Sequence, residues 1–152
     1  MTSSARGFTL IELIITVMIV GILTALAVPL ARNTIKRERE VALRQDLRDI
    51  RTAIDKFKDA SDRGFIQVKL GTEGYPESLK VLVEGVAMTG AVDRKLKFLR
   101  RIPEDPMTNS ADWGMRSVQD DPKLQSWGGQ NVFDVYTKSD GTALDGTKYK
   151  DW

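Results

Sequence analysis

Leu13 to Ala31 form an uncharged apolar run of 19 residues. As helix the run extends about 28 Å at 1.5 Å per residue, close to the roughly 30 Å of a bilayer hydrocarbon core. It is long enough to span a membrane. Residues 32–60 are densely charged yet keep an apolar series at Leu43, Leu47, Ile50, Ile54 and Phe57, spaced 4, 3, 4 and 3 apart, which is one helix face. Ile35 and Ala42 extend this stripe backwards. The pattern predicts one long helix from Phe8 to Ala60, with Gly64 beyond it as a stop signal. Pro29 interrupts the helix by removing a backbone hydrogen bond and clashing with the preceding turn, so a kink or a locally melted segment is expected from Ala25 to Pro29.

The opposite face, from Arg37 to Asp55, alternates in sign. Most of it reads as a solvated surface, and Glu40 and Arg44 stand in the favourable i, i+4 order of a local ion pair, about 0.2 to 0.5 kcal/mol in an isolated helix. Alternating charge would also serve to register neighbouring helices in a bundle.

Beyond the helix the pattern shortens. Gly71, Gly74 and Pro76 mark a loop, Glu77 to Val83 reads as a short helix, and Glu84 to Ala91 as a further loop. Residues 92–101 fit a helical turn or a strand. Their basic side chains, Arg94, Lys95, Lys97, Arg100 and Arg101, make a solvated face or a contact for anionic lipid or a partner. Ile102 to Asn109 holds Pro103 and Pro106 and must be irregular. Asp112 to Val118 and Asn131 to Thr137 read as strands, and Trp113, Trp127 and Trp152 as residues that close the core. A small antiparallel sheet laid on the long helix follows, an α+β fold.

Composition narrows the function. With 152 residues the chain holds one modest domain plus the apolar run. The net charge of +2 argues against nucleic acid as a main partner. There are no cysteines and no histidines, which removes disulfides, thiolate and imidazole metal sites, and the Ser-His-Asp and Cys-His nucleophilic arrangements. The carboxylate pairs Glu104-Asp105 and Asp120-Asp121 read as solvated turn residues, so no catalytic residues are assigned. The chain is expected not to be an enzyme.

A short polar leader, Met1 to Gly7 with Arg6, precedes the apolar run. That reverses the order of a secretory signal, whose cleavage site follows its apolar region. Cleavage after Gly7 would leave the anchor on the chain. Gly7-Phe8-Thr9-Leu10-Ile11-Glu12-Leu13, with its apolar continuation, resembles the class III signal of the type IV pilin and type II secretion pseudopilin superfamily. The resemblance implies a prepilin peptidase that cuts between Gly7 and Phe8 and N-methylates Phe8. It divides the chain into a leader (1–7), a transmembrane and assembly half of the helix (8–31) and a periplasmic pilin-like domain (32–152). Counting Arg6 against Arg32, Lys36, Arg37 and Arg39 would put that domain in the cytoplasm, whereas the resemblance puts it outside the inner membrane.

Glu12 is the misplaced charge. A carboxylate carried toward the bilayer centre costs about 2.5 to 3.5 kcal/mol and marks a functional site by default. An α-amine on Phe8, with a reference pKa of about 7.7 to 8.0, would be its cationic partner, four residues away on a helix face. That pairing closes within one subunit or, as the resemblance implies, between neighbouring subunits during assembly.

Further along, Leu99-Arg100-Arg101-Ile102-Pro103-Glu104-Asp105-Pro106 and Phe133-Asp134-Val135-Tyr136-Thr137-Lys138-Ser139-Asp140-Gly141 are similar to the major, G-type pseudopilin of type II secretion. Met107-Thr108-Asn109 departs from the Trp-Gly-Asn common at that point. The resemblance implies a self-polymerising subunit of a periplasmic pseudopilus that drives protein export, with the inner-membrane assembly platform and minor pseudopilins as partners. A surface type IV pilin or minor pilin is the alternative, and a tethered module that never polymerises is the remote one. It also implies a calcium ion, a hard cation for oxygen ligands, for which this chain offers Ser139, Asp140 and Asp145.

Overall fold

In a computed structural model, residues 7–121 and 126–152 are described, without the side chains of 26–31 and Val92. Helix α1 runs from Leu10 to Asp62, and the chain forms two compact units, 1–38 and 39–152. The backbone from Ala25 to Pro29, where a kink or a locally melted segment is expected, is helical.

Both ends of α1 are set by local chemistry. At the start, the Glu12 amide donates to Thr9 Oγ1 at 3.3 Å, so Thr9 caps an otherwise unpaired amide and Glu12 places a carboxylate in the first turn, where the helix dipole favours it. At the end, Phe65 N donates to Ala60 O and Gly64 N to Ser61 O, both at 2.9 Å. This is a Schellman stop, and Gly64 at φ +71° fills its left-handed position.

In unit 39–152, α1 supplies the spine of the core. Leu43, Leu47, Ile50, Ile54 and Phe57 are all buried, together with Ala53 and Ala60, as the spacing requires. The backward extension of the stripe is not observed: Ile35 and Ala42 are exposed. Against the stripe pack Leu79 and Leu82 of α2 (Leu79–Glu84), then Trp113, Val132, Val135 and Tyr149. Phe57 meets Phe98 with ring centroids 5.1 Å apart.

The β-structure is two small sheets rather than one. Strands β1 (Val86–Met88) and β2 (Ala91–Leu96) form an antiparallel hairpin where only a loop followed by a helical turn or strand was expected. Strands β3 (Gly114–Arg116) and β4 (Asp134–Tyr136) pair antiparallel inside the two segments predicted as strands. Gly114 faces Tyr136 across that pair, and a Cβ there would fall 2.4 Å from the Tyr136 ring, so the ring needs glycine beneath it. Of the tryptophans only Trp113 is fully buried, its Nε1 donating to Pro103 O at 2.9 Å. Trp152 is half-buried, and Trp127 sits at the surface with its Nε1 bonded to Asn131 O.

Candidate functional site

The N-terminal part of α1 is where sequence and structure concentrate function. From Gly7 to Ala25 every residue is exposed, including Ile11, Ile14, Val17, Val20 and Leu23 on all sides of the helix. A helix that is apolar all round belongs in a core or a membrane, and so large an exposed apolar surface marks an interaction site. Its hydroxyls are already satisfied, since Thr16 and Thr24 donate to Leu13 O and Val20 O, both at 2.8 Å. Neither would carry an unpaired donor into lipid. Among the described residues no helix is long and apolar enough to cross a membrane; the expected span continues past Ala25 into residues 26–31.

Gly7 and Phe8 precede the helix in extended chain. A Cβ at Gly7 would meet nothing within 4 Å, and Phe8 is 76 % exposed. Among the described residues nothing packs on the Gly7-Phe8 bond. Because α1 begins at Leu10, Phe8 lies before the first turn and does not share a formed helix face with Glu12. The Glu12 carboxylate is exposed and has no ion-pair partner among the described residues.

At the other end of the chain, residues 139–152 fold back on α1. Glu40 Oε1 accepts from Leu144 N and from the Tyr149 hydroxyl, both at 2.9 Å. Burial, then the Glu40 carboxylate, pushes the Tyr149 phenol up to about 12. Arg44 pairs with Asp145 at 3.4 Å and lies 3.9 Å over the Trp152 ring. The local Glu40-Arg44 pair expected from spacing is not among the ion pairs of the described residues, because both side chains reach the loop instead.

The three candidate calcium ligands lie in this loop with separate engagements. Ser139 Oγ accepts from Gly141 N, and Asp140 faces Lys150 Nζ at 3.5 Å. Asp145 Oδ1 accepts from Thr147 N and Thr147 Oγ1 at 2.9 and 2.6 Å, and these bonds hold its carboxyl below the usual range. Among the described residues no group of three or more acidic side chains could hold a metal ion. As arranged, this donor set does not fit calcium, which takes six to eight oxygens.

Sequence reasoning missed Asp105, which was expected at the surface. It is fully buried, with Oδ1 accepting from Met107 N at 2.8 Å and Oδ2 bonded to the Thr137 hydroxyl. It thus joins the proline-rich turn to the residue after β4. Asp120 likewise closes a turn, accepting from Ser117 N at 2.7 Å and Gly128 N at 3.0 Å, which lowers its pKa. These carboxylates do structural work, with every bond aimed at the chain itself. The basic residues Arg100 and Arg101 line an open groove of about 400 Å³ with Asp46 and Asp49 of α1, so acidic side chains offset part of that patch. Burial, and then the neighbouring Asp49 and Asp105 carboxylates, raise the pKa of Asp46.

Comparison with known proteins agrees with these features. Residues 2–28 match the family described as the prokaryotic N-terminal methylation motif. The chain is 31 % identical over 114 residues to the type II secretion system core protein G of Escherichia coli K12, covering 71 % of this chain and 70 % of that one. Against the protein of the same name from Klebsiella michiganensis it is 29 % identical over 140 residues, covering 88 % and 82 %. It is also 46 % identical over 85 residues to the type IV major fimbrial protein FimA of Dichelobacter nodosus, covering 51 % of this chain and 53 % of that one. No solved structure is significantly similar to the chain. With a methylation motif at its start, an α+β body behind a long helix, and a relative matched over most of both chains, the protein belongs to the family of the type II secretion system core protein G, pilin-like structural proteins rather than enzymes.

Proposed function

We propose that this chain is a pseudopilin subunit, cleaved between Gly7 and Phe8 by prepilin peptidase, N-methylated on Phe8, and polymerised into a periplasmic pseudopilus that drives protein export. The observation that carries this reading is the helix segment Leu10 to Ala25, apolar on all sides and exposed throughout, with Glu12 as its one charge. Lipid would cover it before assembly, and the helices of other subunits afterwards. In the inner membrane the chain would pass once, with its folded domain in the periplasm. Glu12 then has a cationic partner in the Phe8 amine of a neighbouring subunit, and their attraction grows as water is excluded. The inner-membrane assembly platform and minor pseudopilins are the further partners of this role.

The identity to a major fimbrial protein over half the chain favours a second reading, a type IV surface fibre. Deleting the gene separates the two: lost export of secreted proteins with surface fibres intact supports the pseudopilus, and lost surface fibres with export intact supports the pilus. Glu12→Leu keeps the anchor but removes the charge. In an assembly assay it should abolish fibres while leaving cleavage intact, and normal fibres from Glu12→Leu would remove the assembly role of that carboxylate.

A further inference from the structure

Residues 139–152 contain the loop in which calcium was expected, and both of its candidate carboxylates already face a cationic side chain. Asp140 faces Lys150, and Asp145 faces Arg44. We propose that this segment is a metal-free clasp, in which Arg44 and Lys150 bring the two positive charges that a divalent cation would supply and Glu40 holds the loop backbone to α1.

Three features of the geometry support it. First, Glu40 is a shared acceptor for one backbone amide and one phenol, Leu144 N and Tyr149 Oη, at 2.9 Å each, so a single helix carboxylate fixes the loop at two points five residues apart. Charge-assisted bonds of this kind are about twice as strong as neutral ones. Second, the loop's own backbone groups pair with one another. Thr142 bridges Lys148, Ala143 N donates to Thr147 O at 2.7 Å, and Tyr149 N donates to Gly141 O at 3.2 Å. Gly141 lets the Tyr149 ring approach, since a Cβ there would lie 2.9 Å from it. Third, Arg44 is held by more than charge: its guanidinium covers the Trp152 ring, which stacks edge-on against Tyr149 at 5.1 Å, while Trp152 Nε1 donates to Thr147 Oγ1 at 2.8 Å. Asp145, Thr147, Tyr149 and Trp152 thus form one connected set around two α1 side chains.

The ion pairs alone would be a weak clasp. Arg44 and Asp145 are about half exposed, 51 % and 52 %, and such pairs contribute little. Glu40 is the part on which the loop depends. The clasp is a property of the single subunit and stands or falls independently of fibre assembly.

Thermal unfolding and amide exchange of the full chain in detergent test it, with calcium chloride as the probe. The melting temperature should move by less than about 1 °C between EGTA and millimolar calcium. Glu40→Ala should speed exchange of the Leu144 amide by about tenfold or more, and Glu40→Gln, whose side-chain oxygen still accepts, should restore part of that protection. The proposal is overturned if calcium raises the melting temperature by several degrees or slows Leu144 exchange. It is equally overturned if Glu40→Ala leaves Leu144 exchange unchanged, or speeds it no more than exchange of the core amides of α1 such as Ile50 and Ile54, which would mark a fall in global stability and not an opened loop.

Discussion

One helix carries two opposite surfaces. Between Leu43 and Ala60 its apolar side chains are buried on one face and its charges lie on the other; between Leu10 and Ala25 apolar side chains cover every face and all are exposed. The first arrangement is complete within one subunit, because the stripe is matched by α2, the strand segments and the C-terminal loop. Among the described residues nothing covers the second, and an apolar surface of that extent fits lipid or other chains as its cover. The difference separates what folds this protein from what it is for.

The largest expected effect tests that separation directly. Leu47→Ala, at a site only 2 % exposed, should cost about 2 to 5 kcal/mol of unfolding free energy, read by denaturant titration of the detergent-solubilised chain. Ile14→Ala, at a site 51 % exposed, should leave the same midpoint unmoved. Equal losses would erase the distinction.

Asp105→Ala comes next, at about 2 to 3 kcal/mol, because it strands Met107 N and the Thr137 hydroxyl in a buried site. Asp105→Asn should recover part of the loss. If Asp105→Ala melted like the native chain, Asp105 would not anchor the turn.

A pH effect follows from Tyr149. Its folded pKa of about 12 lies above the ordinary 10, so the folded state holds its proton where the unfolded state has lost it. The associated stability is complete below pH 10 and is lost as pH rises from 10 toward 12. A tyrosinate absorbance titration should show one late phenol that disappears in Tyr149→Phe; if the late phenol persists in Tyr149→Phe, the assignment is wrong. The smallest effect belongs to the exposed segment: Thr9→Ala should fray the start of α1 by about 1 kcal/mol, seen as faster exchange at the Glu12 amide with no change in domain unfolding.

The buried stripe was legible because helical periodicity is local: five residues within four turns announce a face. Its end at Leu43 was not, because Ile35 and Ala42 share the period but are exposed, and only packing decides which periodic positions are covered. Strand β1 escaped because three residues set between Gly85 and Gly90 look like a loop until their partner strand is in place. Long-range polar pairing was hidden most completely. Glu40 sits four residues from Arg44 but bonds to residues 104 and 109 positions away, and no local rule ranks those partners above the near one. The Thr9 cap was missed, the helix having been expected from Phe8, although its signal is local: a threonine followed three residues later by glutamate.

Leu10 to Ala25 should be shielded from water in the cell, whereas the outer surface of residues 39–152 should remain open to it. Since the chain has no cysteines, a single introduced thiol reports on one position without background. Val17→Cys and Leu70→Cys, at sites 64 % and 99 % exposed in the isolated subunit, should diverge when isolated membranes and sheared fibres are treated with a charged, membrane-impermeant maleimide. Leu70→Cys should label in both preparations and Val17→Cys in neither until detergent is added. Labelling of Val17→Cys in intact membranes, at a rate comparable to Leu70→Cys, would show that neither lipid nor other subunits cover this segment.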